Sequence, residues 1–147
     1  MFVCVGIDSV TSKINAIISE NRLETVDEVL REVGVYEKKA HEWIKKNIPH
    51  DMDVDTISHL KLDVLPKYGN KLKQKQDPRK PLRAWADPWL IAKAMPKVII
   101  PQLFPPNYIV VTEENENGDK LKIPYICKLL DVKCMSLTQM MQNESII

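Results

Sequence analysis

A chain of 147 residues, 44% hydrophobic and 28% charged, has room for one domain with a real core and too little for two ordinary ones. Its net charge of +1 excludes binding to nucleic acid or an anionic membrane through overall charge, so any such attraction must be local. No apolar run approaches the roughly 18 residues of a membrane span. The start, "MFVCVGIDSV", lacks the basic region of a secretion leader, and three cysteines without a CxxC pair argue against structural zinc or disulfides and for a cytoplasmic protein.

In chain order, "FVCVGI" (2–7) reads as a short buried strand that ends at Asp8, and "SVTSKINAIISE" as a helix. "RLET" (22–25) suits a second short strand. "VDEVLREV" and "YEKKAHEWIKKNI" predict two helices divided at Gly34, the first with Val26, Val29, Leu30 and Val33 on one face. "DMDVD" (51–55) has the alternating acids of a calcium loop, but Thr56 stands where that loop needs Gly and Leu62 where it needs Glu, so the motif is set aside. "VDTISHLKLDVLP" predicts a helix stopped at Pro66. His41, His50 and His59 fall nine apart, a spacing that fits no helical metal pair.

Residues 66–82 hold three prolines, one glycine and six basic residues against one acid, and read as a basic loop. "RAWADPWLIAKA" (83–94) follows as a helix with Pro88 in its first turn and Asp87 in place to cap it. Four prolines make 96–107, "PKVIIPQLFPPN", extended or irregular. "YIVVTEE" is a β-branched strand ending at Glu113 and Glu114. "NENGDK" reads as a turn, "IPYICKLLDV" as a helix with Pro124 in its first turn, "VKCMS" as a short strand and "LTQMMQ" as a closing helix.

Short strands alternating with helices predict an α/β architecture with a mainly parallel sheet, in which ligands bind beyond the carboxyl ends of the strands. Asp8 and Glu113–Glu114 fall at such ends, and Asp87 begins a helix at that same edge. Taken singly, these residues have plainer roles. Asp87 is a helix cap, Glu32 belongs to a solvated helix face with Asp27 and Glu28, and Trp85 and Trp89 are packing residues.

The stretches "ADPWLIAKA", "YIVVTEE" and "KIPYICKLLDVKCMSLTQMM" resemble the PIN-domain-like nucleases, most closely a subgroup with an Ala-Asp-Pro-Trp-Leu-Ile-Ala helix start. "RLETVDEVLREV" and "HEWIKKN" resemble two further segments of that subgroup. The similarity spans most of residues 15–142 and is most specific from 84 to 137. It implies one PIN-like domain over 1–147, a three-layer α/β/α sandwich whose acids hold Mg²⁺ or Mn²⁺ for RNA cleavage. Carried over by position, Asp87, Glu114, Glu32 and Asp8 would be the catalytic and metal-holding acids, with Thr112 the hydroxyl beside them. Hard divalent cations favour such carboxylates, and a bound cation relieves their mutual repulsion.

Two departures stand out. Asp8 lies only 24 residues before Glu32. Either the N-terminus is abbreviated and Asp8 still serves, or the first strand is missing and Asp8 caps a helix. The other departure is the proline-rich run before "YIVVTEE". The resemblance further implies a toxin of a toxin–antitoxin pair, with an RNA substrate, an antitoxin partner and a possible homodimer, and with no membrane. The alternative is a degenerate PIN-like module that binds a protein or RNA without cutting. The basic loop, Lys67 to Arg83, is where a phosphate backbone would be attracted.

Overall fold

A computed structural model of the chain describes residues 7–69, 85–115 and 121–147, with side chains from Ser9 onward. The strand expected over 2–7 therefore lies outside the described residues up to position 6, and the basic loop and the 115–120 turn lie largely outside them. Ile7 and Asp8 are already helical: α1 runs Ile7–Ser19. Asp8 thus lies in the first turn of a helix. Among the described residues no helix is long and apolar enough to cross a membrane.

"RLET" forms no strand. It is an irregular connection whose Thr25 amide donates to the Pro49 carbonyl (2.9 Å), with no described strand alongside to pair with. Helix α2 (Asp27–Tyr36) buries Leu30, and α3 (Lys38–Asn47) follows at once. The break between them falls at Glu37, which is extended (φ −144°, ψ 96°) and caps the Lys39 amide. Gly34 lies inside α2 instead of dividing it. Without a side chain it admits the His41 ring, which a Cβ there would meet at 3.2 Å.

The stretch predicted to stop at Pro66 continues past it. Helix α4 (Val54–His59) widens into a π-helical turn (Leu60–Val64), and α5 (Leu65–Tyr68) follows with Pro66 in its first turn. In the π turn the Leu65 amide reaches the Leu60 carbonyl, five residues back. Proline offers no N–H to the carbonyl four residues before it and crowds that carbonyl, and one wider turn accommodates both effects. Leu60, Val64 and Tyr68, four apart, point into the core.

Helix α6 (Asp87–Ala94) buries Pro88, Ile91 and Ala92. The chain from 96 to 109 then carries no regular element, as its prolines require. Strand β1 (Val110–Val111) pairs in parallel with β2 (Cys134–Met135), placing Val110 opposite Cys134 and Val111 opposite Met135. Parallel pairing was expected, and α7 (Ile123–Leu129), with Pro124 in its first turn, supplies the crossover such pairing needs. Ile109 lies outside the strand and is 40% exposed. A capping box of Ser136 and Gln139 opens the last helix, α8 (Leu137–Asn143). One apolar core joins the α4–α5 segment, α6, β1 and α7 through Leu60, Val64, Tyr68, Ile91, Ile126 and Cys127.

Among the described residues the chain is therefore mixed: helices with a small two-stranded parallel sheet.

Candidate functional site

The start of α6 departs from a simple cap. Ala86, the residue before the helix, already has helical angles (φ −78°, ψ −26°), and no side chain caps the helix. Asp87 therefore sits one residue too far in to act as the N-cap. Its Oδ2 instead accepts a hydrogen bond from the Trp85 indole Nε1 (3.0 Å). The pairing of tryptophan and aspartate around the helix start thus has a local cause: the indole orients the carboxylate.

Glu32, from α2, reaches the same place. Its Oε1 accepts from the backbone amide of Ala86 at 3.0 Å. Ala86 is only 2% exposed, so this carboxylate satisfies a buried donor at a helix N-terminus, where negative charge is favoured. Glu32 and Asp87, far apart in sequence, are anchored one residue from each other.

Glu114 follows the end of β1. The Thr112 amide continues the ladder to the Met135 carbonyl (3.0 Å). Its hydroxyl accepts from the Glu114 amide (3.1 Å), turning the chain so that Glu114 Oε2 accepts from the Ile123 amide at the head of α7 (2.8 Å). Glu113 does the same for α8, taking the Leu137 amide at 2.8 Å. The two acids closing the strand each hold a helix by its first residue.

Tyr68, which no motif in the sequence singles out, packs in the core beside Trp85. It is fully buried and meets Trp85 edge to face, centroids 4.7 Å apart and planes at 77°. Burial, then the negative charge of Asp87, then Cys127 and Glu114, push its phenol well above the usual tyrosine range. Both carboxylates are thus within electrostatic reach of one hydroxyl. The only signal for Tyr68 in the sequence is its four-residue spacing from Val64 and Leu60. An open cleft of about 550 Å³ adjoins Glu114, lined also by Thr112, Pro124, Cys127, Cys134 and Ser136.

Glu32, Asp87 and Glu114 are therefore gathered around Trp85, Ala86 and Tyr68. Asp8 lies in the first turn of α1, and its side chain is outside the described residues. Of the basic stretch, Lys67 is described, exposed on α5. Among the described residues no group of three or more His, Cys, Asp or Glu stands close enough together to hold a metal ion. The acids of "DMDVD" do structural work: Asp53 caps α4 through the Thr56 amide (2.7 Å), and Asp55 is buried against backbone amides of the 98–100 segment.

Helices around a short parallel sheet, with an acid from α2 on the head of α6 and acids from α6 and the end of β1 acting on a buried tyrosine, are what define the class among the described residues. Residues 7–147 match the family model described as "Domain of unknown function (DUF4411)", and the chain belongs to that family. No curated protein matches the chain. No solved structure matches it either.

Proposed function

We propose that this chain is a PIN-like, metal-dependent ribonuclease of the cytoplasm, the toxin of a toxin–antitoxin pair, built on a three-layer α/β/α sandwich. The observation that carries the reading is the anchoring of three acids from separate elements at one locus. Glu32 holds the amide before Asp87, while Asp87 and Glu114 both act on the Tyr68 hydroxyl.

The donor chemistry suits Mg²⁺ or Mn²⁺. Mg²⁺ is commonly held by one or two carboxylates, with water and substrate phosphate completing its shell. Asp87 and Glu114 would be that pair, with Glu32 supporting Asp87 and Asp8 a candidate fourth acid. When bound, the cation would neutralise charge on the scissile phosphate and acidify water beside it. The protein's own part is positioning. Trp85 orients Asp87 and the apolar face of α6 fixes it against the core, while Thr112 turns the chain at Glu114 and the Ile123 amide holds its carboxylate. RNA would approach over Lys67 and the basic stretch that follows it, and an antitoxin would cover the acids with an Arg or Lys.

The test is cleavage of a mixed RNA by the full chain with Mg²⁺ or Mn²⁺, with and without chelator, in the parent, Asp87→Asn and Glu114→Gln. The expected result is cleavage in the parent that leaves 5′-phosphates, abolished by chelator and by either substitution. Cleavage that survives any of these rejects the mechanism. One observation favours a second reading, a degenerate module that binds RNA or protein without cutting: the absence, among the described residues, of a three-donor metal group. An inactive parent that still binds RNA would support it.

A further inference from the structure

Cys127 and Cys134 stand seven positions apart, a spacing that carries no motif, yet the fold sets their sulfurs side by side. Cys127 is fully buried on α7, Cys134 is half-buried on β2, and both are reduced. The Cys127 S–H donates to the Cys134 sulfur. Both backbones are held in place. The Cys127 carbonyl accepts from the amides of Leu130 (3.2 Å) and Val132 (2.9 Å). On either side of Cys134, the carbonyls of Lys133 and Met135 accept from the amides of Val110 (2.9 Å) and Thr112 (3.0 Å). Both thiols also line the open cleft of about 550 Å³ beside Glu114, so a small reagent reaches them from solvent. A cysteine that only fills core space needs neither a second sulfur nor an opening.

We propose that Cys127 and Cys134 are an oxidation site, a dithiol that a small hydroperoxide converts to an intramolecular disulfide. Thiols in hydrogen-bonding contact have on the order of 1–2 Å to close before they reach the S–S bond length of about 2.05 Å. Their fixed backbones keep each thiol at high effective concentration for the other. Environment divides the roles. Burial raises both thiols above the ordinary range, but at Cys134 the hydrogen bond from Cys127 partly offsets it. Cys134 is also the more exposed, so its thiolate attacks first. Its sulfur takes the terminal hydroperoxide oxygen, the O–O bond breaks, and the thiol proton leaves on the departing oxygen as alcohol. The Cys127 sulfur then attacks the Cys134 sulfenic acid, the S–O bond breaks, and the departing hydroxide leaves with the Cys127 proton as water. Two thiols and one hydroperoxide thus give one disulfide, one alcohol and one water, with two electrons passing from sulfur to oxygen. A small neutral oxidant suits the cleft better than a bulky anionic disulfide, since Glu114 lines it too. A thiol that resists ionisation is a poor leaving group, so the disulfide is slow to reduce and the oxidised state persists. The proposal is independent of the ribonuclease reading.

The test treats the full chain with hydrogen peroxide, alkylates it in denaturant without reductant and digests it with trypsin. Lys128 and Lys133 lie between the two cysteines, so trypsin separates residues 123–128 from 134–147 unless a disulfide joins them. The expected result, in the parent and in Cys4→Ala alike, is the joined peptide pair, with both cysteines lost to alkylation. Cys127→Ala should halt at the first step and leave a Cys134 sulfenic acid that dimedone captures. Cys134→Ala should leave Cys127 a thiol that is still alkylated. Far-UV circular dichroism checks the fold of each variant, and if either core variant fails to fold, the joined peptides in Cys4→Ala decide the matter. Cysteines 127 and 134 that remain alkylated after peroxide overturn the proposal. So does a disulfide to Cys4 or to a second chain in place of the internal one, or oxidation of both sulfurs to sulfinic acid without a link.

Discussion

The carboxylate of Glu32 accepts a hydrogen bond from the backbone amide of Ala86, 54 positions further along the chain, at 3.0 Å. That bond ties α2 to the head of α6 and fixes where Asp87 emerges. Glu32→Ala leaves a buried amide without this acceptor and should lower unfolding stability by about 1–3 kcal/mol. Glu32→Gln keeps an acceptor oxygen and should cost clearly less. Urea unfolding of the two variants separates the cases, and equal losses would show that the bond contributes little.

Asp87→Asn should separate stability from activity. Asp87 makes no capping bond, and its contact with the Trp85 indole needs only an acceptor oxygen, which the Asn side chain retains. The expected melting temperature is close to that of the parent, while any Mg²⁺- or Mn²⁺-dependent RNA cleavage disappears. Asp87→Ala, which removes the acceptor as well, should shift the tryptophan fluorescence. A large loss of stability in Asp87→Asn would make the residue a structural anchor and nothing more.

Acid should weaken the hold on the 98–100 segment. Asp53 is held down at about 2: burial opposes this, but the Lys97 ammonium and the Thr56 amide and hydroxyl outweigh it. Asp55 is lowered too, burial again opposing, by the amides of Ile99, Ile100 and Val98. A carboxyl depressed in the folded state adds stability above its unfolded value of about 3.9 and loses it as pH falls through the folded value. Stability should therefore drop between about pH 4 and pH 2. Denaturant titrations across that window should show a shallower fall in Asp53→Asn than in the parent.

Alkali should act through Cys127. Burial, followed by the neighbouring Cys134, pushes its thiol up to about 12. The unfolded thiol ionises near 8.5, so folding is favoured below that pH and stability declines as pH rises towards the folded value. Cys127→Ala removes one proton's share of that decline. An identical slope in parent and variant between about pH 8.5 and 11 would rule out this origin.

If the basic stretch binds phosphates, RNA affinity should fall steeply with salt. Replacing Lys71, Lys73 and Lys75 with Gln should then flatten the dependence by about one unit of slope for each lysine–phosphate pair removed. Filter binding at several salt concentrations measures this. An unchanged slope would assign these lysines to solvated surface.

Elements with local signals were legible in the sequence. The β-branched run before Thr112 gave a strand that pairs in parallel. Pro124 opened α7, and Ser136 with Gln139 boxed the start of α8. Four prolines kept 96–107 out of regular structure. Glu32, Asp87 and Glu114 were singled out by their resemblance to a family pattern, since each read alone is an ordinary cap or surface acid.

What these residues touch follows from packing between distant segments. Glu32 meets Ala86 because α2 and α6 come together, a long-range consequence that no window of sequence contains. Asp87 lost its role as a cap because Ala86 was drawn into helical angles, and Gly34, inside α2, leaves room for the His41 ring. Pro66 redirected a helix without ending it, since one π turn absorbed the missing donor and kept Leu60, Val64 and Tyr68 in the core. Tyr68 came under the charges of Asp87 and Glu114 through packing alone. Local propensity chooses an element, but burial and the pairing of backbone donors across the fold choose its boundaries and its neighbours.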